Sequence, residues 1–288
     1  MTRTTLLLGL VALAGCGGVT QQDGEPDPAT AERALIEDAS DDASASAQSS
    51  GLARPLFLGL DSRLLGDSGG DAATQLQTAR AMVEGSYAPS GCATLSTDPD
   101  GAIRLVFSDC RAAGGLVHLS GALVAKLSGE PGRVHVEIEA PDGLVSAGKT
   151  IAYEASADIV TADGSQAITW KTASWRASTA HGTNVSHTAD YAITLDLASR
   201  CSVTSGSTVG LVEGKDANGA LESRGLSAVI DGYAVCPGKC PTSGTVRTTR
   251  STGELTHRTV VLRFDGTPTV HVTGARGQSF DLPLVCEA

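Results

Sequence analysis

Ile151-Ala152-Tyr153-Glu154-Ala155-Ser156-Ala157-Asp158-Ile159 decides the fold class. Ile151, Tyr153, Ala155, Ala157 and Ile159 share one parity, and Ala152, Glu154, Ser156 and Asp158 share the other. Successive strand side chains leave on opposite faces, so this period marks a strand with one dry and one wet face. Upstream, Val134, Val136 and Ile138 interleave in the same way with Arg133, His135, Glu137 and Glu139. Downstream the pattern returns at Tyr191, Ile193, Leu195 and Leu197, at Val260, Leu262 and Phe264, and at Phe280, Leu282, Leu284 and Cys286. Strands wet on one face belong to antiparallel sheets. Turn signals separate the runs: Asp98-Pro99-Asp100-Gly101, Glu130-Pro131-Gly132, Asp142-Gly143, Asp163-Gly164 and Asp265-Gly266. The expected fold is mainly β: an antiparallel meander, sandwich or open barrel of about ten or more strands.

One short helix is expected before the sheet. Asp71 can cap it, Ala72, Leu76, Ala79 and Val83 follow at helical spacing, and Gly85 can end it. Residues 51–66, with Leu56, Phe57, Leu58, Leu60, Leu64 and Leu65, are expected to pack with it on the sheet. Ser120-Gly121-Ala122-Leu123-Val124 and Ser243-Gly244-Thr245-Val246 echo each other, too briefly to make a repeat.

The chain has 288 residues and a formal net charge of −11. Nucleic-acid binding needs a positive surface, and this balance argues against it. The acid is uneven. Residues 17–50 hold Asp23, Glu25, Asp27, Glu32, Glu37, Asp38, Asp41 and Asp42 against Arg33 alone, with almost no large apolar side chain. Such a segment cannot bury enough surface to offset its ordering entropy, so a disordered acidic tether is expected over 16–50. Residues 51–288 then form the β domain.

The chain begins with Met1-Thr2-Arg3, followed by an uncharged stretch to Gly15 carrying Leu6, Leu7, Leu8, Leu10, Val11 and Leu13. Its apolar core would rise roughly 18 Å as a helix, short of a bilayer core of about 30 Å. An export signal over residues 1–15 is expected. It ends in Leu13-Ala14-Gly15-Cys16. That tetrad resembles the lipobox of bacterial lipoprotein signal peptides. The resemblance implies diacylglycerol on the Cys16 sulfur, cleavage before Cys16 and acylation of the new amine. One acyl chain holds a protein only marginally, at about 0.8 kcal/mol per buried CH₂, so several are needed. Residue 17 is Gly where an Asp would favour inner-membrane retention, and this leans toward the outer membrane.

With Cys16 lipidated, Cys92, Cys110, Cys201, Cys236, Cys240 and Cys286 remain. An even set in an exported chain favours disulfides. Cys92 and Cys110 flank a hairpin turn and are the best pair. Cys201–Cys236 and Cys240–Cys286 are weaker, and other connectivities stay open. Cys236-Pro-Gly-Lys-Cys240 is half of a zinc site, without a second ligand pair at suitable spacing.

Three further constellations carry possible chemistry. Gly66-Asp67-Ser68-Gly69-Gly70 resembles the nucleophile motif of chymotrypsin-like serine proteases, where the glycines free backbone N–H groups for an oxyanion hole. Thr179-Ala180-His181 faintly resembles that family's histidine segment. The departures outweigh the likeness: Ser68 precedes every histidine, and the chain before it is too short for the preceding barrel. A flexible loop leading into the helix explains the stretch better. His181 and His187 would face each other, near Asp190, if a hairpin turned at Asn184, and could then share a metal. His135, Glu137 and Glu139 share a strand face, which is more often a solvated face than a cation site. Aromatics make up only 3% of the chain, which argues against a sugar-stacking module. Trp170 and Trp175, five apart, should point to opposite faces, with one in the core.

These readings predict an envelope lipoprotein held by its lipidated Cys16, favouring the outer membrane. Its role is expected to be non-enzymatic, structural or binding, with an envelope protein or small molecule as partner. No cofactor, metal site or catalytic residue is assigned. The competing class is a hydrolase using Ser68 or a metal at His181 and His187.

Overall fold

The computed structural model describes residues 86–283 apart from 112–115, 117, 131, 179–183, 216–220, 237–238 and 253–255, together with Leu52, Arg80, Val83 and Glu84. Residues 1–15, the 16–50 segment, Ser68, Asp71, Gly85, His181, Leu284 and Cys286 therefore lie outside the described residues. So does 51–66, except Leu52.

The strands are β1 (Ala93–Thr97), β2 (Ile103–Cys110), β3 (Leu119–Glu130), β4 (Arg133–Glu139), β5 (Leu144–Ser146), β6 (Lys149–Ala162) and β7 (Ser165–Ser178). They continue as β8 (Asn184–Asp196), β9 (Ser202–Lys215), β10 (Leu221–Val235), β11 (Ser243–Arg250), β12 (Thr259–Phe264), β13 (Thr269–Thr273) and β14 (Ser279–Pro283). All fourteen belong to one sheet whose spatial order follows the chain from β1 to β14. Every pairing is antiparallel. The fold is the expected antiparallel meander, and among the described residues β1 and β14 are not paired with each other. β5 is the exception to simple succession. It pairs β3 and β6, in the lane that β4 occupies before the turn at Asp142-Gly143.

The turn chemistry explains the hairpins. Ala162 pairs Ser165, and the two residues between them, Asp163 and Gly164, have φ of 48° and 78°. Two positive φ values make a type I′ turn, whose twist matches that of the strands it joins. Ala147-Gly148 does the same between β5 and β6, at 50° and 76°. Gly121 and Gly244, the glycines of the short sequence echo, have φ of 118° and 116°. Each sits beside a break in register with the preceding strand, so the echo is one backbone device used twice.

One face of the sheet is dry. Ile151, Tyr153, Ala155, Ala157 and Ile159 of β6 are buried, and so are Val134, Val136 and Ile138 of β4. Each fully buried large apolar side chain contributes about 1.5–3 kcal/mol over its exposed state. Leu52 and Val83, both helical, join this core at 0% exposure. The Tyr87 hydroxyl donates to the Leu52 carbonyl at 2.7 Å, and Arg80 Nε donates to the Leu95 carbonyl of β1 at 3.2 Å. Arg80, Val83, Glu84 and Ser86 are helical, and Ser86 lies one residue beyond the end expected from the sequence.

Two expectations about faces are corrected. Trp170 and Trp175 are both in the core, each 1% exposed. Between Thr172 and Trp175 β7 spends three steps while β8 spends two, from Ala189 to His187. This bulge inserts a residue and resets the alternation, returning Trp175 to the dry face. At the other end of the sheet, Leu282 does not join a buried face. It is 36% exposed, because among the described residues β14 is an edge strand paired with β13 on one side.

Candidate functional site

The dry face is not uniformly apolar. Register aligns Tyr153, Trp175, His187, Gly210, Leu226 and Arg250 across β6 to β11. One step toward the strand ends, Val185, Val212 and Arg224 align, and Gly214 and Glu222 follow. Arg224 and Arg250 thus share the face of the buried Leu226, at 9% and 4% exposure. Glu222 lies between them. Its Oε2 accepts from Arg224 Nη1 at 3.1 Å, and its Oε1 is 4.0 Å from Arg250 Nη2. The Gly225 amide donates to Thr252 Oγ1 at 2.6 Å, fixing the chain after β11 against β10 beside this cluster. A buried guanidinium is tolerated where a carboxylate and hydrogen bonds replace water. Chemically, the trio can hold β10 and β11 in register and place two guanidinium groups against one carboxylate on the dry face.

His187 belongs to the same row, 2% exposed. Its cross-strand partners are Trp175 and Gly210. The hairpin expected to turn at Asn184 turns before it. Ser178 pairs Asn184, so β8 has already begun at Asn184, and Trp175 rather than His181 lies opposite His187. Asp190 is exposed on the opposite face of β8, because three residues along a strand invert the side. His181 itself lies outside the described residues.

The face carrying His135, Glu137 and Glu139 is wet, as expected. His135 Nδ1 meets Asp158 Oδ1 of β6 at 2.9 Å, and its Nε2 is 3.9 Å from Glu137. Among the described residues, no group of three or more His, Cys, Asp or Glu is placed to hold a metal ion. Ser68 lies outside the described residues.

Sequence reasoning missed a second polar cluster, on the wet face near the last strands. His271 of β13 places Nδ1 2.7 Å from Asp281 Oδ1 on β14 and Nε2 3.0 Å from Asp265 Oδ2. Asp265 also accepts from the Thr267 hydroxyl at 2.6 Å and from its amide at 3.1 Å. These hydrogen bonds from Thr267 and His271 pull its carboxyl down to about 2. The two carboxylates raise the His271 imidazole above its ordinary value, Asp281 contributing most. A signal was present: alternation along Thr269-Val270-His271-Val272-Thr273 puts His271 on the wet face, next to a turn that begins with Asp265.

Two expected disulfides are present. Cys92–Cys110 and Cys201–Cys236 join Cα atoms 5.4 Å and 4.1 Å apart. Cys240 is disulfide-bonded as well; Cys286, its expected partner, lies outside the described residues. Each of the two bridges closes a hairpin at the end away from its turn, for β1–β2 and β9–β10 respectively.

No family model matches the chain, and none of the curated proteins or solved structures compared with it matches significantly. Its residues are therefore the whole basis for a functional reading.

Proposed function

We propose that the chain is a bacterial lipoprotein precursor, held in the cell envelope by acyl chains on Cys16, with a β domain that is a non-enzymatic binding or structural module. The observation that carries this reading is the coincidence of a basic start, a short apolar run and Leu13-Ala14-Gly15-Cys16 where that run stops. The disulfides support it, since such bonds persist in oxidising compartments outside the cytosol. Gly17 favours the outer membrane as destination. An envelope protein or a small molecule is the expected partner of the module.

The test begins with the anchor. Expressed in a bacterium with lipoprotein processing, the chain should incorporate a fatty-acid analogue and sediment with membranes. Cys16→Ala should lose both properties. Labelling that survives this substitution sinks the lipoprotein reading. A pull-down from detergent-solubilised envelope then addresses the module, and failure to enrich any specific partner counts against binding.

A further inference from the structure

We propose that Asp265, His271 and Asp281 form a proton-operated latch that fixes the terminal strand β14 to the sheet in acid and loosens it as the pH rises.

Among the described residues, β14 is held by its backbone pairing with β13, its one strand partner there, and by Phe280 packed against the core. Of its five residues Phe280 is half-buried, whereas Ser279, Asp281, Leu282 and Pro283 are exposed. An edge strand of this kind opens locally at small free-energy cost. The side-chain bond from His271 to Asp281, at 2.7 Å, is therefore a sizeable share of its attachment.

That bond depends on a proton. Both ring nitrogens of His271 face carboxylate oxygens, at 2.7 Å and 3.0 Å. A neutral imidazole has one N–H, so only the imidazolium can donate to both carboxylates. Once the proton leaves, one nitrogen lone pair confronts an anionic oxygen at hydrogen-bond distance, and one contact must open. The less fixed partner is Asp281. Asp265 is pinned by the Thr267 hydroxyl and amide, whereas Asp281 rides on the edge strand. Opening therefore falls on β14.

The charged groups facing His271 from its neighbours are few. On β12 its register partner is Arg263, a guanidinium. Asp265, just past β12, stays ionised above about 2. On β14 the facing group is Asp281. His271 is thus the member of this set whose charge changes near neutrality. Its value is raised in the folded chain. The latch contribution is therefore complete below the ordinary histidine value of about 6.5 and is lost as the pH climbs through the higher folded value.

Hydrogen exchange on the full, disulfide-bonded chain tests this. Rates are corrected for intrinsic pH dependence, and β6 and β7 amides serve as the internal reference. From about pH 5.5 to about pH 8.5, protection of β14 amides should fall by roughly threefold or more relative to that reference. His271→Gln should make the β14 ratio independent of pH. A flat ratio in the native chain overturns the proposal, and so does an unchanged slope in the variant. The imidazole of the native chain gives a second readout that needs no variant. Its NMR titration should have a midpoint above that of a free histidine, and a midpoint at or below it also overturns the latch.

Discussion

Gly206 shows how tightly this sheet is drawn at a single residue. It sits on the dry parity of β9 opposite Tyr191, and a methyl there would run into the Asp190 carbonyl oxygen, the Tyr191 Cα and the Tyr191 ring. Neither backbone obstacle can swing aside as the end of a flexible side chain can. Gly206→Ala should therefore cost about 2 kcal/mol or more, read as a lower urea midpoint. An unchanged midpoint would show that β8 and β9 can separate to admit a methyl. Glu222 makes the opposite kind of prediction, because its charge matters rather than its volume. Glu222→Gln keeps the shape but removes the anion between Arg224 and Arg250, the second of which is 4% exposed. Glu222 is itself partly open to solvent, which tempers the loss. A destabilisation of about 1–3 kcal/mol is expected, again by urea unfolding. Unaltered stability would mean the two guanidinia do not depend on it. This trio was hard to see from sequence because strand arginines are usually assigned to the wet face. The parity of Leu226, Ala228 and Ile230, run backwards, does reach Arg224 and Glu222.

The strands divide by how clearly their residues declare a face. β4, β6 and β8 alternate large apolar with polar side chains, and their dry residues follow that reading. β9 to β11 were silent. Their dry positions include Gly206, Thr208 and Gly210 on β9, Arg224 and Ala228 on β10, and Thr248 and Arg250 on β11. Small, hydroxyl and charged residues give no hydrophobic period even when they point inward. Five apolar residues on the opposite, wet face of β9 and β10 blur it further: Val203, Val209, Leu211, Leu221 and Val229. β7 failed for another reason. Its bulge lies among Thr172, Ala173, Ser174 and Trp175, with no glycine or proline to announce it. This gives an element-level prediction. Deleting Ala173 should remove the extra residue and leave a regular strand in which Trp170 and Trp175, now four apart, both stay on the dry face opposite the same β8 partners. The two tryptophans are the only ones in the chain, so emission should stay blue-shifted. A red-shifted component in the deletion variant would show that the extra residue does not set the face.

Across the whole molecule, one continuous sheet is held by its hairpins and stapled at two of them. Cys92–Cys110 spans 18 residues of chain and Cys201–Cys236 spans 35. Bridges of this length restrict the unfolded chain and typically contribute about 2–4 kcal/mol each. Reduction should lower the urea midpoint, and free-thiol titration of the native chain should detect neither pair. Four reactive thiols from Cys92, Cys110, Cys201 and Cys236 before unfolding would contradict the structure. The fold class was legible because it rests on many repeated local patterns. The two charged clusters were less so, since they exist only once register brings β10 to β11 and β13 to β14. Spacing along one strand says nothing about that.

The order of the strands in space is also an order in time. From β2 onward each strand pairs with one that precedes it in the chain, β5 returning to β3 included. A chain threaded N-terminus first through a narrow channel would find each docking edge already in place as the next strand emerges. No strand needs to wait for a distant partner, which is the step that slows most all-β folds and leaves their edges open to aggregation. Such a sheet can grow at the pace of its delivery, and β14 would be the last piece to arrive.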